Sequence, residues 1–215
     1  MLSFQDARTK MVDCQLRTTD VTNPAILDAM GTVARERFVP EARAALAYID
    51  EDIALNGSRF LMEPSPFAKL LQLANPQSGD KVLIVGAGTG YSAAVAATFA
   101  ASVTALECDA SLAAAARENL SAQPNVTVAE GQLAAGWAAN APYDVILVEG
   151  AVSVAPEKLF GQLAEGGRLV EVSGTGNAGV ANLHVNTGGR VSGRRGFNAA
   201  VRPLPGFARE ESFVF

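Results

Sequence analysis

Residues 81–97, KVLIVGAGTGYSAAVAA, constrain this chain more than any other stretch: an apolar run, three glycines at alternate positions, then an alanine-rich segment. An unbroken apolar run of that length reads as a strand buried on both faces, which a parallel sheet covered by helices provides. Gly86, Gly88 and Gly90 let the backbone turn tightly and approach a ligand closely. The helix that follows offers free N–H groups and the positive end of its dipole. Strand, glycine turn and helix in this order make a nucleotide site. The dinucleotide fingerprint would require glycine or alanine where this chain has Tyr91, so a pyrophosphate on the helix is disfavoured and a smaller, neutral or zwitterionic moiety is favoured.

The rest of the chain supplies the sheet that this motif needs. From Gly79 onward short apolar runs alternate with helical stretches: KVLIVG and YSAAVAATFA, SVTALE and ASLAAAARENL, NVTVAEG, YDVILVEG and PEKLFGQLA, then GGRLVEVSG. That alternation predicts a parallel sheet covered on both faces. VANLHVN, the Gly188-Gly189 turn and the run through Val191 predict a hairpin, hence antiparallel strands at one edge. Asp80 and Asp109 stand where turn and cap residues belong. Before Gly79 the chain reads as helices and breakers. Phe4, Ala7, Met11 and Cys14 share one helical face, Asn23-Pro24 and Ser65-Pro66 read as helix starts, and Pro40 and Asn75-Pro76 as stops. DIALNGSRFLMEP has strand-like pieces without a sustained period, the kind of irregular segment that often carries function. The expected fold is a Rossmann-like α/β sheet (79–215) with an N-terminal helical subdomain and substrate-side loop (1–78).

Composition narrows the classes. Hydrophobic residues make up 49% and charged residues 18% of the 215, which is a globular chain. No apolar stretch approaches the roughly 18 residues of a membrane span. The charged start MLSFQDARTKMVD does not resemble a signal peptide, so a cytoplasmic location is expected. A net charge of −5 argues against unspecific nucleic-acid binding, and Arg190, Arg194 and Arg195 read as the solvated surface of the hairpin. One histidine and two cysteines exclude a His-rich metal centre and a disulfide framework. His184 reads as a strand residue, and Cys108 as a small buried residue or a lining residue of the nucleotide site.

Three strand ends give the ligand its identity. Glu107, ending VTALE, is placed to accept both hydroxyls of a ribose, which disfavours a 2′-phosphate. Gly131-Gln132-Leu133 follows the next strand, where the side-chain amide of Gln132 could read the edge of an adenine. With the glycine turn (Gly86, Ala87, Gly88, Gly90, Tyr91) and Cys108, these residues imply S-adenosylmethionine, with S-adenosylhomocysteine as the product form.

The same segments, in the same order, resemble the protein-L-isoaspartate O-methyltransferase family over essentially the whole chain. Met11 with Gln15-Leu16, and Arg35-Glu36-Arg37-Phe38-Val39-Pro40, are similar to that family's N-terminal signatures. GDKVLIVGAGTGYSAAVAA is similar to its cofactor motif, and APYDVILVEGAV, LAEGGRLV and AAVRPLPGF to its later strands and closing segment. The resemblance implies a methyltransferase sheet with an altered C-terminal strand order. It also implies methyl transfer from S-adenosylmethionine to the α-carboxylate of isoaspartyl residues in damaged proteins, with no nucleic-acid or membrane partner.

Four positions depart from the family pattern. Ser58-Arg59-Phe60-Leu61-Met62 stands where the family has G-Q-T-I-S, so its serine falls on Met62, a side chain with no useful hydrogen-bonding capacity. Ile84 replaces an acidic residue of the cofactor motif, and Gln132 replaces a carboxylate. Glu149-Gly150-Ala151 puts a carboxylate near the transferred methyl group, which suits an acceptor that loses a proton or a cationic one better than an isoaspartyl carboxylate. Two alternatives follow: a methyltransferase for another acceptor, with Glu149 as base and Ser58 or Arg59 as substrate contacts, or a catalytically silent cofactor-binding protein.

Overall fold

The computed structural model describes residues 3–174 and 176–208. The run at 81–85 is the central strand β3 (Lys81–Val85), parallel to β4 (Ser102–Glu107) on one side and β6 (Tyr143–Val152) on the other. β5 (Val126–Glu130) and β7 (Leu163–Ser173) extend the parallel sheet outward. β8 (Val180–Thr187) and β9 (Arg190–Asn198) close it as an antiparallel hairpin, giving the order β5-β4-β3-β6-β7-β8-β9. The turn at Gly188-Gly189 has φ of 60° and 75°, as a two-residue hairpin of the I′ type requires.

β3 shows why its sequence is apolar from Val82 onward. Val82 and Ile84 pack into one core, shared with the N-terminal helices, while Leu83 and Val85 pack into a second core on the opposite face. Period-two alternation with both faces covered leaves no position for a polar residue. Ile84, where the family has an acid, is therefore a core residue, 0% exposed.

The N-terminal region consists of α1 (Phe4–Met11), continued by a π turn at Val12–Leu16, α2 (Pro24–Thr32) and α3 (Pro64–Ala74). Asn23 caps α2 as expected, accepting from the N–H groups of Ala25 and Ile26. The buried side of α1 is Arg8 and Met11, continued by Val12 and Leu16; Phe4 and Cys14, expected on that face, are exposed, Phe4 at the first position of the helix and Cys14 within the π turn, which rotates it out of step. α3 begins at Pro64, two residues ahead of the expected first helical residue Pro66, and Ser65 instead hydrogen-bonds Thr19 Oγ1 at 2.8 Å. PEKLFGQLA, expected to be helical, yields only α6 (Glu157–Phe160) before β7 begins. Pairing of Leu163 with Tyr143 of β6 takes over from local preference there. α4 (Tyr91–Ala96) and α5 (Ala110–Asn119) follow β3 and β4, and Asp109 caps α5.

The irregular segment resolves into a two-stranded antiparallel hairpin, β1 (Ile53–Asn56) and β2 (Arg59–Leu61), separate from the main sheet. Ile53 and Leu61 anchor it in the core. At the other end of the chain, residues 201–207 return along β6: Ala151 donates to Arg202 O at 2.8 Å and Leu204 donates to Ala151 O at 2.9 Å. Both segments converge on the glycine turn.

Candidate functional site

The glycine turn lies at the carboxyl edge of the parallel strands, between the ends of β4 and β6, the place where open α/β sheets bind ligands. Gly86 and Gly88 have φ of 87° and 55°, a backbone open only to residues without a Cβ at low cost. The space above them belongs to the protein itself. A Cβ on Gly86 would stand 2.7 Å from Leu204 Cδ1 and 3.1 Å from Arg59 Nη2, and one on Gly88 would stand 2.9 Å from Leu55 Cδ1. The hairpin and the C-terminal return therefore cover the turn directly.

Glu107 is the best-satisfied acceptor in the site. Its carboxylate is fully buried and takes Arg59 as a fork, Nη2 to Oε2 at 2.8 Å and Nε to Oε1 at 3.3 Å. The backbone N–H of Gly88 reaches Oε2 at 2.7 Å, and those of Cys108 and Asp109 reach Oε1 at 2.8 and 3.1 Å. Burial alone would raise its pKa, but the Arg59 hydrogen bonds and charge, with the backbone donors, hold it below the ordinary carboxylate range. Arg59 also donates to Gly86 O at 2.8 Å. The residue expected to receive a ribose is thus occupied by an arginine from β2.

Glu149, on the β6 side of the turn, is half-buried with one side-chain partner, Ser92 Oγ at 2.7 Å. Burial pushes its pKa up to about 7, against the pull of Ser92, Arg59 and Arg35 and with a smaller push from Glu107. It lines a residual cavity of ≈ 10 Å³ with Asp52, Ser58, Arg59, Met62 and Arg202, enough for about one water. Met62 is buried, and its carbonyl accepts from Arg35 Nη2 at 2.6 Å. Arg35 is itself fully buried beneath Tyr91, 4.7 Å from the ring centroid. The Arg35–Pro40 segment therefore holds the end of β2 and Met62 in place from below.

The remaining expected residues divide in two. Ala87 and Leu133 are buried beside the turn and after β5. Tyr91 lends only its backbone to the start of α4; its ring packs between Phe38 and Phe67, with centroids 5.6 and 5.7 Å away. Gln132 is exposed, and Gly131 lies against Trp137. Cys108 is exposed, which overturns its reading as a small buried residue; its backbone N–H and its thiol both donate to Glu107 Oε1, at 2.8 and 3.4 Å. His184 is the strand residue expected, on β8, bonded to Glu171 at 3.1 Å. Among the described residues no cluster of His, Cys, Asp or Glu could hold a metal ion, and no helix is long and apolar enough to cross a membrane.

S-adenosylmethionine meets a split result here. The backbone cradle and Glu107 have the form it needs, but in this arrangement Leu55, Arg59 and Leu204 stand in its place. The donor does not fit until they move.

Known proteins bear on the whole chain. The family model described as "Protein-L-isoaspartate(D-aspartate) O-methyltransferase (PCMT)" matches residues 7–197. A protein-L-isoaspartate O-methyltransferase of Methylorubrum populi is 45% identical over 167 residues, covering 76% of this chain and 78% of the relative. One from Koribacter versatilis is 42% identical over 172 residues, covering 79% and 78%. A solved protein-L-isoaspartate O-methyltransferase superposes with a TM-score of 0.79 at 26% identity, covering 93% of this chain and 66% of that longer one. A Plasmodium falciparum β-aspartate methyltransferase in complex with S-adenosyl-L-homocysteine gives 0.78 at 20% identity, covering 92% and 97%, and shares the fold. The chain belongs to the protein-L-isoaspartate O-methyltransferase family.

Proposed function

We propose that this protein is an S-adenosylmethionine-dependent methyltransferase of isoaspartyl carboxylates in damaged proteins, with the donor over the glycine turn and the acceptor entering beside Met62 and Glu149. The observation that carries this reading is the convergence of turn, Glu107 and RExFVP segment on one sheet edge within a chain that matches the family from residue 7 to 197. Methyl transfer to a carboxylate requires no strong base; positioning governs the displacement, so loss of a hydroxyl at Met62 lowers a rate without removing the chemistry. Glu149 is a weaker obstacle than its charge suggests. With a pKa near 7 its neutral form is substantially populated at neutral pH, and a protonated carboxyl donates a hydrogen bond to an acceptor carboxylate instead of repelling it. The exposed free thiols Cys14 and Cys108 suit a reducing, cytoplasmic setting.

Arg59 on Glu107 favours a second reading, in which the chain binds the cofactor or its product weakly and does not turn over. Transfer of labelled methyl to an isoaspartyl peptide, with its normal-aspartyl twin as control, separates the two. Labelling of the isoaspartyl peptide alone supports the enzyme; labelling of neither, with cofactor binding measured in the same sample, supports the silent binder.

A further inference from the structure

We infer that Arg59 is a built-in occupant of the ribose seat, and that ligand binding at the glycine turn is an exchange in which the β1–β2 hairpin withdraws and Glu107 trades a guanidinium for a diol. The inference rests on the donor reading above. A guanidinium edge and a vicinal diol present the same thing to a carboxylate, two parallel donors a short distance apart. Nε and Nη2 of Arg59 fill that role on Oε1 and Oε2 of Glu107. The hairpin brings more than one group into the ligand's space: Leu55 lies on Gly88, and Arg59 Nη2 also holds Gly86 O.

The hairpin is held by Ile53 and Leu61 in the core and by side-chain hydrogen bonds, and not by pairing with the main sheet. Its ends are bonded to other parts of the site: Asn56 Nδ2 to Asp109 Oδ2 and Ser111 Oγ, both at 3.1 Å, and Asp52 to the N–H of Glu63 and to Arg202 Nε. Among the described residues β1 and β2 pair only with each other, so lifting them breaks no strand pairing of the main sheet. Withdrawal of Arg59 leaves Glu107 with three backbone N–H donors, so the carboxylate stays positioned for the incoming hydroxyls. A closed seat lowers the apparent affinity by the fraction of molecules that are open. Arg59 thereby sets how much cofactor the protein needs.

Titration calorimetry with S-adenosylhomocysteine on the wild-type chain, Arg59→Ala and Arg59→Met tests this, Met keeping the packing of the stem should Ala fold poorly. The expected result is tighter binding by about tenfold or more in the variants, since freeing a seat of its occupant raises the competent fraction, a gain that general damage to the fold does not produce. Hydrogen exchange should agree, with amides 53–61 of the wild-type chain exchanging faster when the ligand is saturating. Equal or weaker binding in both variants, with wild-type binding measurable, would overturn the occupant role and leave the cofactor reading standing. Absence of binding to all three proteins would remove the cofactor reading and this inference together.

Discussion

Glu107 and Glu149 sit on opposite sides of one glycine turn, on the strands β4 and β6 that flank β3, and meet opposite fates. Glu107 has a guanidinium fork and three backbone donors, and its pKa falls despite full burial. Glu149 has one hydroxyl, and its pKa rises to about 7. Burial is common to both. The difference is the number of donors aimed at the oxygens, which decides whether the charged form is kept or given up. One carboxylate is a fixed anion that organises backbone; the other is a proton-exchanging group facing the small cavity.

The largest effect expected from breaking this contrast comes from Glu107→Ala. It leaves Arg59 buried and unpaired and strips the Gly88, Cys108 and Asp109 N–H groups of their acceptor, a loss of about 3–5 kcal/mol in urea unfolding. Arg59→Met should cost less, about 1–3 kcal/mol, because the backbone donors still hold the carboxylate. The double variant Arg59→Met with Glu107→Ala should lose less than the two single losses combined, since no buried charge remains. Additive losses in that cycle would mean that Arg59 and Glu107 do not act as a coupled pair.

The two carboxylates should also give the protein opposite pH slopes. A lowered folded pKa stabilises above the ordinary carboxylate range, so the contribution of Glu107 is lost as pH falls through its depressed folded value. A raised folded pKa works in reverse. The folded state holds the Glu149 proton longer than the unfolded chain does, so stability falls as pH rises from the ordinary value of 4.5 toward about 7 and levels off above. Glu149→Gln imitates the protonated form and should remove that fall, leaving the variant about 1–2 kcal/mol more stable than wild type at pH 8 once solvent screening of a half-buried group is allowed for. Stability curves for the two proteins that run parallel from pH 5 to 8 would show that Glu149 does not carry the proton.

Much of this site is visible in the sequence because its signals are local. The glycine turn, the Asn23 and Asp109 caps and the Gly188-Gly189 hairpin each depend on residues within a few positions of one another. The position of Glu107 follows from the strand ending there. The partner of Glu107 does not follow from anything nearby, since Arg59 lies 48 residues away on a hairpin too short to show a period. The sequence marks Arg59 as a substrate contact by its place in the departed family motif, and marks the segment as functional by its irregularity. It cannot show that the side chain turns inward onto the neighbouring strand end. The shortened α6 fails for a related reason: an apolar spacing compatible with a helix is overruled by pairing with β6.

A smaller change sharpens the same contrast at its edge. Asn56 ties the hairpin tip to the cap of α5, through Asp109 Oδ2 and Ser111 Oγ, and is exposed. Asn56→Ala removes two neutral or singly charged hydrogen bonds at the surface, so it should lower stability by less than about 1 kcal/mol. Asp109 keeps its bonds to the N–H groups of Ser111 and Leu112, so the helix cap itself survives. If the hairpin opens as one piece, loosening its tip should speed exchange at amides 53–61 and tighten S-adenosylhomocysteine binding in the same direction as Arg59→Met, by a smaller factor. Faster exchange without any change in affinity would locate the barrier at the Arg59–Glu107 fork alone, with the tip free to fray while the seat stays filled.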